Sequence, residues 1–444
     1  MAELAARGVV GRIYGNLGRL LGGKAAAGLI SLAYLAIAAR VLGPADYGVL
    51  VLVHTYAMVV GGVIEFPGWH AVVRYGAQAI AADDRPRLTR LLAFAGLVEM
   101  AGGGLAVITA AALAPWVGPH LGWSQTAIAF AGPYSLAVLA SIRATPAGYL
   151  QLVGRFDLLG AHSLVAPVVR LLGAVTAAMT STGLHGFLIA WLAAALAEWA
   201  AMWALGAWAA RGRLVATNLW RDLARVPREN LGLWRFMLAA NTDITLSELA
   251  SRASPLAVGW FLGPAAAGLY ALAQRATTVL SQPAQILGQA AYAELARLAA
   301  AGDRGPRIRN ALWRVVAIAL LAAGPVCLMI GFFGQQVSVL VAGPAFAAAG
   351  SIMVWLALAR TVQLAAPPIT AALTALGRPG LSMQANLVAG LGLIGLLPPL
   401  LAWRGLEGAG LHALLQAVVG VGLLATNAWR ETRSVTLTCA KAQA

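Results

Sequence analysis

The sequence predicts an all-α, polytopic membrane protein, with about twelve transmembrane helices in two six-helix halves around a central cavity. Three observations point to it: an apolar composition, a periodic placement of basic residues and an internal repeat. Hydrophobic residues make up 60% of the 444, charged residues 11%, and mean hydropathy is +0.78. So little polar material cannot clothe a water-facing surface, and lipid is the solvent that suits it.

A helix needs about 20 apolar residues to cross the hydrocarbon. Stretches of that length are centred near residues 32, 56, 102, 134, 170 and 195, then near 248, 278, 322, 362, 391 and 418. Twenty-five of the 31 Lys and Arg residues lie in every second gap between them. Arg7, Arg12, Arg19 and Lys24 precede the first stretch; Arg74, Arg85, Arg87 and Arg90 follow the second; Arg143 and Arg155 follow the fourth. The pattern continues through Arg211 to Arg235, Arg297 to Arg314, Arg378, and Arg430, Arg433 and Lys441, while the alternate gaps are almost uncharged and only Arg40 and Arg404 break the rule. Positive residues collect on the cytoplasmic side of membrane proteins, so both termini are expected there. The net charge of +15 has the same origin, which removes the case for nucleic-acid binding.

The apolar run near residues 25 to 42 lacks a small-residue cleavage site and is followed closely by another, so it reads as a retained span. Cys327 and Cys439 suggest neither a disulfide framework nor a metal motif, and no phosphate-binding glycine loop or HExxH is present; no cofactor or metal is expected.

The chain echoes itself once. Leu42-Gly43-Pro44-Ala45 with Gly48 returns as Leu262-Gly263-Pro264-Ala265 with Gly268, and Leu152-Val153-Gly154-Arg155 answers to Ala375-Leu376-Gly377-Arg378. The offsets, 220 and 223 residues, are close to half the chain. An even number of spans per half gives a parallel repeat about an axis along the membrane normal. The expected organisation is residues 1–210 as the first half, 211–235 as a cytoplasmic connector and 236–444 as the second half with a short tail. Trp220 and Trp234 in the connector fit either a surface-lying amphipathic helix or a loop with interface anchors. Pro133, Pro146, Pro167, Pro283, Pro325 and Pro367-Pro368 are candidate bends, and Trp116, Trp123, Trp220 and Trp403 candidate interface residues.

Charge inside apolar stretches is the functional signal, because a charge facing lipid costs several kcal/mol and belongs in a wet cavity, a pair or a snorkelling position. Arg170, Arg252, Arg275 and Arg360 are candidate substrate-binding cations, joined by Arg74, Arg40 and His70 nearer the span ends. Guanidinium keeps its charge in a low dielectric and offers fixed donors to phosphate oxygens; ion pairing or snorkelling is the competing use of each. Asp243, Glu248, Glu99 and Glu198 are candidate ion-coupling acids, with Glu65 a further intramembrane acid. Glu248 and Arg252 share a helix face four residues apart and pair locally or couple to an ion, while Asp243 lies about 140° away round the helix.

Residues 22 to 75, from Gly22 through Lys24, the RVLGPADYG turn of Arg40 to Gly48, and Arg74-Tyr75, resemble the opening of bacterial polysaccharide-export flippases. These are lipid-linked oligosaccharide or O-antigen translocases of the multidrug/oligosaccharidyl-lipid/polysaccharide exporter superfamily. Similar features return in FLGPAAAGLYALAQR from Phe261, VAGPAFAAAG from Val341 and ALTALGRP from Ala372, although the second turn has Ala266 and Ala267 where the first has Asp46 and Tyr47. The resemblance implies a monomeric, non-enzymatic flippase that carries undecaprenyl-pyrophosphate-linked oligosaccharide between leaflets by alternating access, coupled to a proton or sodium gradient. O-antigen, capsule and exopolysaccharide pathways share such carriers, so the glycan stays open. A drug antiporter would favour an acidic cavity, a lipid II flippase more spans, and a glycan polymerase or ligase a large outer loop with catalytic groups.

Overall fold

The computed structural model describes residues 2–215, 223–278, 295 and 306–442. Side chains are described from residue 22 onward, apart from those of 224, 239–240, 243–244, 247–248, 250–251, 306, 323, 379 and 433–442. Among the described residues the chain is helical throughout and contains no strand. Among the described residues, helices long and apolar enough to cross a membrane number ten. The chain is a multi-pass membrane protein.

The difference between ten helices and the expected twelve lies at two glycines. Helix α1 (Ala2–Ile64) contains Gly43 at φ 70° and ψ 176°, and the Leu233–Thr278 helix contains Gly263 at φ 82° and ψ 175°. Positive φ suits glycine, the extended ψ suits the residue before a proline, and Pro44 and Pro264 then occupy a helix start where their missing N–H is harmless. The chain folds back at both. Tyr34 and His54, 20 residues apart and so about 30 Å apart on a straight helix, bond to one guanidinium. Ser254 and Tyr270, which flank Gly263 and would be about 24 Å apart on a straight helix, lie side by side.

The other elements of the first half are α2 (Trp69–Ala81), α3 (Arg85–His120), α4 (Gln125–Tyr134), α5 (Ala144–Leu152), α6 (Phe156–His162), α7 (Val165–Met179) and α8 (Gly183–Ala210). Their starts follow local chemistry. Asp84 accepts a hydrogen bond from the Arg87 N–H at the head of α3, and Ser124 does so from Ala127 at the head of α4. Pro146 and Pro167 sit in the first turns of α5 and α7, and Pro367-Pro368 in that of the Ala366–Ala375 helix, each just after an interruption of the span that contains it. Pro325 lies inside the Pro306–Phe332 helix. Pro283 and Trp220 fall outside the described residues. Trp116 and Trp403 are largely exposed, as interface residues should be, but Trp123 is buried against Tyr56.

By contact the chain divides into two compact units, residues 1–42 with 49–249, and residues 43–48 with 250–444. Within the second, the two Leu-Gly-Pro-Ala turns meet. A Cβ added to Gly48 would lie 1.8 Å from the Pro264 carbonyl oxygen, and one added to Gly268 would lie 2.4 Å from that of Pro44. Only glycine permits this approach, and Tyr47 packs edge-on to Phe346 beside it.

The repeat is deeper in the backbone than in the sequence. Among the described residues, positive-φ glycines recur as Gly43 and Gly263, Gly122 and Gly343, Gly154 and Gly377, and Gly183 and Gly405. The span before each of the third pair is broken at matching places, at Ile142–Arg143 and at Leu364–Ala365.

Candidate functional site

Inside the first unit, Arg170 stands at the middle of α7 with its guanidinium over the Trp191 ring, 4.8 Å from the centroid. Its Nη1–H donates to the Tyr34 hydroxyl at 3.2 Å, and its Nη2 lies 3.2 Å from His54 Nε2. On the other side of the imidazole, His54 Nδ1 is 3.0 Å from the Tyr134 hydroxyl. Four helical segments thus converge on one cation: both arms of α1, α4 through Tyr134, and α8 through Trp191. Tyr34, Tyr134 and Trp191 are buried, and the Arg170 Nε atom is buried with no hydrogen-bond partner. The guanidinium has a donor to spare.

A second polar layer closes the break between α4 and α5. The Glu99 carboxylate, 1% exposed on α3, accepts the N–H groups of Ala144 and Thr145, the latter at 2.8 Å. Trp203 Nε1–H donates to the freed Ile142 carbonyl at 2.8 Å. Gly103 lets α3 approach this region, since a Cβ there would run into Ile142. Arg143 pairs with Glu198 of α8, and His162 Nε2 meets the Glu198 carbonyl oxygen at 2.9 Å. The sequence grouped Arg143 with gap residues, but it lies within the Gln125–Leu152 span, tolerated there because Glu198 faces it.

In the second unit, Arg360 donates to Gln363 Oε1 at 2.8 Å and to Thr278 Oγ1 at 3.1 Å. Arg252 is partly buried on the Leu233–Thr278 helix and Arg275 is exposed on it. Arg74 is exposed and lies over the Phe236 ring, 4.6 Å from the centroid, Arg40 is exposed three residues before the Gly43 turn, and His70 packs against Trp69. The side chains of Asp243 and Glu248 lie outside the described residues. Of the predicted acids, Glu99 is engaged by backbone and Glu198 by Arg143. Of the predicted cations, Arg170 has the built surroundings.

His54, Tyr34, Tyr134 and Trp191 are the site residues that sequence reasoning missed. A signal existed: Tyr34 and His54 lie nine and eleven residues either side of Gly43, so a fold-back there sets them at similar depth.

Comparison with known proteins adds three findings. Residues 37–349 match the family described as polysaccharide biosynthesis protein. An inner membrane protein of Escherichia coli K12, YghQ, is 29% identical over 270 residues, 61% of this chain and 76% of that protein. Among solved structures, the lipid II flippase MurJ in an inward closed conformation superposes with a TM-score of 0.70 at 12% identity, covering 94% of this chain and 90% of that one. An inward-facing multidrug resistance MATE transporter of the MOP superfamily gives 0.65 at 15% identity, covering 93% and 96%. At such identities these two likenesses concern the fold.

Proposed function

Since the chain belongs to the polysaccharide biosynthesis protein family and has a fold shared by MurJ and MATE transporters, we propose that it flips undecaprenyl-pyrophosphate-linked oligosaccharide from the cytoplasmic to the periplasmic leaflet. The observation that carries this reading is Arg170: a cation in mid-span, surrounded among the described residues by hydroxyls, an imidazole and an indole rather than by a carboxylate partner, with its Nε donor unspent. Such a group suits a phosphate oxygen, and the neighbouring Trp191 and tyrosines suit a sugar or a guanidinium equally.

In this scheme residues 1–210 and 236–444 alternate access, segment 211–235 joins them on the cytoplasmic side, and both termini are cytoplasmic. The cytoplasmic (inner) membrane is the expected location, in keeping with the basic gaps and with the inner membrane relative. A proton or sodium gradient drives the cycle of a monomer, and no covalent bond of the substrate is broken.

The test is translocation of a fluorescent polyprenyl-pyrophosphate oligosaccharide in proteoliposomes, with and without an imposed gradient. Arg170→Ala should slow it by about ten-fold or more, the size expected for one lost charge-assisted hydrogen bond. Arg252→Ala and Arg360→Ala are compared alongside. Normal translocation by folded Arg170→Ala would refute the reading. Efflux of a soluble organic cation with no movement of glycolipid would transfer the assignment to a small-molecule antiporter.

A further inference from the structure

The contact between Arg170 and His54 fixes the state of the imidazole. Arginine has donors and no acceptor, so its Nη2–H must point at a lone pair on His54 Nε2, 3.2 Å away. His54 is therefore neutral, with its proton on Nδ1, and that N–H donates to the Tyr134 hydroxyl oxygen at 3.0 Å. One place remains for a further proton, and it is the lone pair that holds the guanidinium.

Facing the imidazole are Arg170 from α7, Tyr134 from α4 and Trp191 from α8, whose ring centroid is 5.2 Å away, with Tyr34 of α1 bonded to the same guanidinium. Tyr134 and Trp191 are 1% and 5% exposed. A proton on Nε2 would set two donors and two positive charges 3.2 Å apart in these surroundings, which replaces an attraction by a repulsion. Arg170 is the group able to yield, because its buried Nε has no partner to lose.

We propose that His54 is a proton-operated latch on Arg170. Neutral His54 holds the guanidinium inside the cluster, and protonated His54 expels it and makes it available to an anionic phosphate group. The proposal rests on the anion-binding reading of Arg170 above, and it places proton coupling on an imidazole where the sequence pointed to carboxylates. Linkage makes the effect reciprocal: an anion that engages Arg170 draws a proton onto His54.

Two measurements on the full-length protein in nanodiscs test it. The first is calorimetry with farnesyl pyrophosphate as the probe, in buffers of different ionisation enthalpy at about pH 6 and about pH 8. Wild type should take up close to one proton per probe bound and bind about ten-fold or more tightly at the lower pH. His54→Gln, which keeps an acceptor but takes no proton, should bind with no uptake and equal affinity at both. Binding without uptake in wild type, or uptake unchanged in His54→Gln, overturns the latch and leaves the anion reading standing. Absence of binding at either pH removes the anion reading instead. The latch is then judged by the second measurement, exchange of the imidazole C2–H followed by mass spectrometry in ligand-free protein. The titration of His54 should respond to Arg170→Ala and be indifferent to Arg360→Ala; indifference to both overturns it.

Discussion

The two halves of the chain share their backbone punctuation and differ in what they enclose. Glycines of positive φ stand at matching places in both, the same Gly-Pro turn opens each hairpin, and the fourth helix of each is broken at the same point. Yet the intramembrane acids Glu65, Glu99 and Glu198 fall in the first half together with the Arg170 cluster, while Asp243 and Glu248 fall at the start of the second. In the second unit Arg360 has neutral partners, Gln363 and Thr278. The lesson is that duplication preserved the turns, which backbone sterics dictate, while the interior chemistry was free to diverge.

The sharpest way to break this comparison is at the shared turns. Gly48 and Gly268 each meet the other turn's backbone at distances a side chain cannot share. Gly48→Leu and Gly268→Leu should therefore be equally severe, each costing about 3 kcal/mol or more through overpacking against backbone that cannot move aside. The readout is recovery of monodisperse protein and its thermal unfolding in detergent. A large inequality between the two variants would show that the turns are alike in sequence only.

This pair also shows what was legible in the sequence. The Leu-Gly-Pro-Ala repeat was visible because the turn demands particular residues, and so was the all-helical, lipid-facing character, which composition alone imposes. Gly122 with Gly343 and Gly183 with Gly405 were not, because a lone glycine among 50 carries no signal until its φ is known. The site was less legible than the fold. Arg170 stood out as a charge in an apolar run, but its partners His54, Tyr34, Tyr134 and Trp191 come from distant segments and are ordinary residues in isolation. Arg143 was placed in a gap because a hydropathy window cannot see that a helix breaks inside the membrane and that Glu198 waits opposite.

Glu99 sharpens the contrast between charge that works and charge that builds. Both of its oxygens are committed to the first N–H groups of α5, where the helix dipole also favours a carboxylate. Glu99→Gln retains one acceptor and loses the other, so it should lower unfolding stability by about 1–3 kcal/mol, the cost of a buried donor left unmade. The proton or sodium dependence of translocation should be unchanged. Stability equal to wild type together with lost ion dependence would move Glu99 from the framework into the coupling machinery.

The smallest effect belongs to the other end of the same break. Trp203 Nε1–H satisfies the Ile142 carbonyl, which has no place in a helical ladder once the chain departs from α geometry. In Trp203→Phe the donor is gone, together with the outer indole atoms that face Gly96, and the lost hydrogen bond contributes about 1 kcal/mol, below that of Glu99→Gln. Thermal unfolding of the two single variants and the double variant decides whether the break is held as one unit: the two side chains hold a four-residue segment, Ile142 to Thr145, so their effects should be non-additive. Strict additivity would mean that each end is held on its own, and the discontinuity in this unit would then be a passive kink rather than a braced structural joint.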